Sequence, residues 1–183
     1  MIKTRKELKA CLKYEKSKYK LPKFSCLLAS LGYSEISIIW KYQKRLRKWE
    51  YHHNAGHKFR ALIAKAKVSK LSKKTGFKIH PNNFDVGLQM FHIGSILVNG
   101  DVRVGKDCCI HINTALVATG GTEDGPHIGD NCRIGVGATI VGGIKLGNDV
   151  VVGAGAVVTK SFEEDHITLG GVPAKIISHK AIM

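Results

Sequence analysis

From Val98 onward an aliphatic side chain returns every sixth residue: Val98, Val104, Ile110 and Leu116, then Ile128, Ile134, Ile140, Leu146, Val152 and Val158. A step of six fits neither the 3.6-residue helix nor the two-residue alternation of a half-buried sheet. It is the step of a parallel β-helix, in which each six-residue unit forms one flat side of a triangular coil and three units complete a turn. The aliphatic residue points inward and stacks on its counterparts in neighbouring coils, about 4.8 Å away. Residues 128–157 show the unit in "IGDNCR", "IGVGAT", "IVGGIK", "LGNDVV" and "VGAGAV". Glycine stands second in each, except for Val141, and a second-place glycine suits a tight corner where a positive φ penalises a side chain. A β-sandwich would need alternation of period two instead. One unit is missing. Thr122, in "ATGGTEDGPH", stands where an aliphatic residue belongs, so residues 119–127 are expected to leave the coil as a loop, a candidate wall of an active site.

The coil occupies only part of the chain. Residues 1–80 hold 22 Lys and Arg against 4 Glu, whereas residues 81–183 hold 7 against 10 acidic residues. The reading is therefore a basic α-helical region over 1–75, a β-helix over 76–178 and a tail over 179–183. In "SEISIIWKYQKRLRKWEYHH", Ile39, Tyr42, Leu46 and Trp49 recur at helical spacing behind a possible cap at Ser34, with lysines and arginine opposite. That stripe either packs on the rest of the protein or lies on an anionic membrane surface. "GHKFRALIAKAKVSKLSKK" reads as a further helix, ended by Gly76. No apolar run is long enough to span a bilayer, and the charged start has no signal-peptide core, so a cytoplasmic location is expected, with the inner face of the membrane as an option. The charge asymmetry points to an anionic partner, but no nucleic-acid motif is present and no nucleic acid is expected. Five cysteines without CxxC or Cys/His zinc spacing argue against a metal. Cys108 and Cys132, at fifth places, read as small buried hydrophobes. The Cys108–Cys109 pair as a thiol nucleophile is the alternative.

Counting back in sixes from Val98 reaches His92 and then Val86. An imidazole in an aliphatic series is either a buried histidine satisfied by backbone or a functional group on a distorted side, and Gly94 and Ser95 in "FHIGSI" suit the distortion. His111, at the next second-place corner, could face the same cleft. A histidine near neutral pKa suits general-base chemistry on a hydroxyl.

With "IGVGATIVGGIKLGNDVVVGAGAVV" followed by "GGVPAKII", the chain resembles the left-handed parallel β-helix acyltransferases, and within them the serine acetyltransferases and related polysaccharide O-acetyltransferases, over roughly residues 75–178. The resemblance implies an acetyl-CoA-dependent O-acetyltransferase without a metal, a homotrimer with each active site between neighbouring prisms, and a small-molecule or glycan acceptor. It implies His92 as catalytic base, after the coil that begins "KIHPN". It places Ala118 and Thr119 against the pantetheine arm, Val136, Gly137 and Ala154 along the coenzyme groove, and Lys160, Pro173 and Lys175 near its nucleotide end. Phe91, His111 and His127 become candidate acceptor contacts. The departures are informative. An aspartate of the serine enzymes is Phe91 here, their Arg-His pair is reduced to "TEDGPHIG", and the carboxylate that orients the histidine falls at Lys78. These losses favour a sugar hydroxyl of a surface-polysaccharide precursor over L-serine, which is kept as the alternative. A non-catalytic trimeric scaffold that binds membrane or a partner is the reading from another class.

Overall fold

The computed structural model describes residues 1–19, 34–120 and 124–180. Three helices come first among them: α1 (Arg5–Lys18), α2 (Glu35–Asn54) and α3 (Lys58–Thr75). Fourteen short strands follow. β1 (Phe77–Lys78), β3 (Ile96–Val98), β6 (Thr114–Val117), β9 (Thr139–Val141) and β12 (Val157–Val158) stack as one side of the coil. A second side holds β4 (Arg103–Val104), β7 (His127–Ile128) and β10 (Lys145–Leu146). The third holds β2 (Gln89–Met90), β5 (Cys109–Ile110), β8 (Arg133–Ile134), β11 (Val151–Val152), β13 (Thr168–Gly170) and β14 (Lys175–Ser178). We call these sides A, B and C. All pairings are parallel except that of β14, which closes side C antiparallel to β13. The inward residues Val98, Ile110, Leu116, Ile134, Ile140, Val152 and Val158 are wholly buried, as are Cys108 and Cys132 at fifth places.

Register shows where the step of six breaks. Regular coils pair residues eighteen apart, as Ile134 with Val152. Ile110 pairs with Ile134, twenty-four apart, so six extra residues leave the coil between Leu116 and Ile128. Thr122 and the rest of 121–123 lie outside the described residues. Met90 pairs with Ile110, twenty apart, so the first coil carries two extra residues before Val98. The inward slots there belong to Met90 and Phe84, both buried, and not to His92 and Val86 as steps of six suggest.

The role of the second-place glycines also differs from expectation. Gly105, Gly129, Gly135, Gly147 and Gly153 do not have positive φ. Among the residues that do are the fourth places Asp107, Asn113, Asn131, Gly137, Asp149 and Gly155. Asn, Asp and Gly are the residues that tolerate this left-handed conformation. The second place is glycine because the next coil passes too close: a Cβ on Gly105 would lie 2.8 Å from the Asp130 nitrogen, and one on Gly135 2.7 Å from the Ala154 nitrogen.

The helices close the open end of the coil. A first coil has backbone groups with no coil beneath them, and buried groups of that kind need partners. Arg47 donates to the carbonyls of Phe84 and Asp85, Gln43 to that of Leu88, while Glu15 accepts from Gly87 N–H and the Tyr19 hydroxyl from Met90 N–H. Ile39, Tyr42 and Leu46 are buried in the same core cluster as the coil interior, so the apolar stripe of α2 is spent on packing. Ser34 is the N-cap of α2, though its side chain makes no capping bond. Gly76 ends α3 with φ +78, and a Cβ there would also meet the Gly94 carbonyl at 2.8 Å.

Candidate functional site

The two extra residues of the first coil form a projection, Phe91 to Ser95, at the corner where side C turns into side A. It is pinned from both ends. Gly94 N–H donates to the Thr75 carbonyl at the end of α3, and Asn113 N–H of the next coil donates to the Ser95 carbonyl. Gly94 must be small there, since a Cβ would meet Cβ of Ile112 at 3.0 Å. The projection turns His92 out of the prism, leaving its side chain 62% exposed. Its Nδ1 lies 3.4 Å from Oε2 of Glu35, the first residue of α2, whose Oε1 accepts from Ile93 N–H.

One coil further along the same corner stands His111. Its ring centroid is 5.7 Å from that of Phe91, and its Nε2 is 3.7 Å from the Cys109 sulfur. Burial, and then the charges of His92 and Arg133, push its pKa below the usual histidine value. His111 is therefore a neutral hydrogen-bonding group at pH 7 beside the more exposed His92. Burial raises the Cys108 and Cys109 thiols, which opposes the thiolate that a nucleophilic Cys108–Cys109 pair would need, and takes Cys132 to about 11.

Because β2, β5, β8 and β11 of side C are each followed directly by a side A strand, the intervening residues pile up along this single corner. Gly137 N–H donates to the Ile112 carbonyl, Gly155 N–H to that of Val136, and Val157 N–H to that of Gly171. His92, His111, Val136, Gly137, Ala154 and Pro173 thus share one edge of the prism. Val136 and Ala154 are exposed on it, and nothing lies within 4 Å of where a Gly155 Cβ would sit. This is a shallow, small-residue strip leading away from His92. Ala118 and Thr119 lie on the next corner, between sides A and B, where the Thr119 methyl faces Gly142 at 3.6 Å from a built Cβ. Lys160 follows β12 toward that second corner, with its Nζ over the Phe162 ring, and Lys175 is exposed on β14. His127 is not brought to His92 within one chain. It lies outward on side B, in a groove of about 550 Å³ shared with Arg103, Lys145 and Asp165.

Lys78, where the family's pattern would put a carboxylate, is exposed on β1. The carboxylate beside the imidazole comes instead from Glu35, fifty-seven residues earlier in the chain. The one local clue was scarcity. Of the four Glu among residues 1–80, Glu7 makes the capping box of α1, and Glu15 and Glu50 pair with Arg47, which leaves Glu35. Among the described residues no group of three or more His, Cys, Asp or Glu could hold a metal ion, and no helix is long and apolar enough to cross a membrane.

The family described as hexapeptide repeat of succinyl-transferase matches residues 127–160. Serine acetyltransferase from Staphylococcus epidermidis is 31% identical over 156 residues, 80% of this chain and 71% of that one. Serine acetyltransferase from Mycobacterium tuberculosis is 31% identical over 149 residues, 79% of this chain and 61% of that one. A solved structure of serine acetyltransferase in complex with coenzyme A, from Brucella abortus, aligns over 94% of this chain and 67% of that chain, with TM-score 0.68 and 25% identity. The repeat and this likeness make the coil a left-handed parallel β-helix, as the resemblance implied. The chain spans 42% to 61% of the length of the first relatives it matches.

Proposed function

This chain belongs to the serine acetyltransferase family of hexapeptide-repeat acyltransferases, and on that premise we propose that it transfers an acetyl group from acetyl-CoA to an acceptor hydroxyl with His92 as general base. One observation carries the reading: the single imidazole ejected from the prism by a two-residue insertion stands, exposed, at the head of the small-residue corner. The hydroxyl oxygen attacks the thioester carbonyl as His92 Nε2 takes its proton. The tetrahedral intermediate then expels the thiolate, and the imidazolium returns the proton to sulfur. Nε2 is the nitrogen available, because Nδ1 faces Glu35. His111, neutral and one coil away, is placed to hydrogen-bond the acceptor or the intermediate.

The residues present fit the donor. The pantetheine arm needs a smooth, narrow strip, and Val136, Gly137, Ala154 and Gly155 provide backbone and short side chains there. Lys160 and Lys175 are exposed cations for the phosphates, in a half of the chain that is otherwise net acidic. Ala118, Thr119 and His127 face other sides of the same prism. They join the site in a homotrimer, where one protomer's corner meets its neighbour's side.

The names of the relatives favour L-serine as the acceptor over the sugar that the sequence reading put first. A sugar hydroxyl is the second reading, favoured by Phe91, which packs its ring beside His111 at the position where the serine enzymes have an aspartate. Lipid-linked sugars would also suit α3, which exposes Phe59, Leu62 and Ile63 among lysines. The test is thiol release from acetyl-CoA with L-serine, with nucleotide sugars and with neither. Acceptor-dependent release is expected, and His92→Ala should slow it by ~10²–10⁴-fold. Turnover unchanged in that variant would remove His92 from the chemistry.

A further inference from the structure

A histidine base works well only when its second nitrogen is fixed. A carboxylate that accepts Nδ1–H holds the neutral ring in the tautomer whose lone pair is on Nε2, and it stabilises the imidazolium formed when Nε2 takes a proton. In this chain the position from which the family's pattern would supply that carboxylate is Lys78, and the residue before the histidine is Phe91. We propose that Glu35, at the first position of α2, is the positioning residue for His92. The proposal deepens the reading of His92 as base and rests on it.

Three observations converge on Glu35. Its Oε2 is 3.4 Å from His92 Nδ1, a length that shortens readily when a substrate closes the site. Its Oε1 is occupied by Ile93 N–H, the backbone donor next to the histidine, so a second contact holds the carboxylate beside the ring. It also opens a 20-residue helix, where the macrodipole favours a negative charge, and the Ser34 side chain makes no capping bond that would compete for that end. The groups that face His92 are Glu35 from α2 and His111 from the next coil, with Arg133 one coil further beyond His111. Glu35 is thus the anion beside the imidazole among the described residues. The same contact ties the helical region to the reactive loop. Helix α2, whose apolar stripe closes the prism, has its first side chain at the site.

The test uses Glu35→Gln, which keeps size and a hydrogen-bonding oxygen but loses the charge, and Glu35→Asp, which keeps the charge on a shorter arm. With whichever acceptor supports thiol release, E35Q should lower kcat by about 10–100-fold, less than the ~10⁴ of a buried orienting aspartate because this pair is open to water. KM for acetyl-CoA should stay within about twofold, and E35D should recover part of kcat. In the His92→Ala background E35Q should cost nothing further. A readout free of activity is the ¹⁵N spectrum of the His92 ring in the intact protein, where Nδ1–H should dominate in wild type and lose ground to Nε2–H in E35Q. Full loss in H92A with E35Q at wild-type kcat and unchanged tautomer would overturn the role of Glu35 while leaving the base. An equal loss from E35Q with and without His92 would overturn it too, since Glu35 would then act through folding. Wild-type turnover in H92A would overturn the base itself.

Discussion

Arg47 is 2% exposed, and all five N–H groups of its guanidinium are directed at acceptors. Nε and Nη2 reach Oε1 of Glu15 at 3.1 and 2.6 Å, Nη1 reaches Glu50 at 2.7 Å, and the remaining pair takes the Phe84 and Asp85 carbonyls at 2.8 and 2.6 Å. Burial opposes its charge, but Glu15 and Glu50 outweigh that and hold its pKa above the usual arginine value. Arg47→Met keeps the length of the side chain and removes every donor. Two buried carboxylates lose their cation, at a cost of about 3–5 kcal/mol. The two carbonyls lose their partners, at about 1 kcal/mol or more each. Against a total of about 5–15 kcal/mol for a domain, most of the stability goes. Arg47→Lys keeps the charge but offers three donors to five acceptor contacts, so at least two bonds disappear and about 2 kcal/mol with them. Urea unfolding followed by circular dichroism, at one fixed protein concentration so that association does not shift the midpoint, measures both. The order wild type, R47K, R47M is expected. A cost below about 1 kcal/mol for R47M would refute the view that this side chain seals the open end of the coil.

Gly105→Ala should destabilise by about 1–3 kcal/mol, because its Cβ would press on the Asp130 backbone, whereas Gly155→Ala, with open space around it and φ +66, should cost only about 1 kcal/mol; paired melting curves compare them. Stability should fall as pH drops below about 6.5, since burial lowers the pKa of His80 and His111 in the fold and the unfolded chain binds those protons more readily. His111→Asn should flatten that slope in urea titrations at pH 5.5 and 7.5, and an unchanged slope would count against the assignment. Cys132, with its thiol raised to about 11, should resist iodoacetamide in the folded protein when the peptides are read by mass spectrometry.

The prism was legible because its code is local and repeated: an inward aliphatic residue, a glycine and a small fifth residue return every six positions, and each occurrence supports the others. The same arithmetic singled out His92, whose match in phase is accidental, and the distortion that Gly94 and Ser95 suggested is present. Steps of six put the imidazole in the stack, whereas Met90 fills that slot and the insertion lifts His92 outside. The second-place glycines were rightly noticed, and their cause was close approach between coils and not a positive φ. Beyond the repeat, only tertiary structure could decide. The seal of Arg47 on Phe84 and Asp85, and the carboxylate of Glu35 on His92, join residues thirty-seven to fifty-seven positions apart. A periodic pattern records which side of its own element a residue occupies. It carries no information about which distant helix end comes to rest against it, because that is set by how the α2 stripe docks on the first coil.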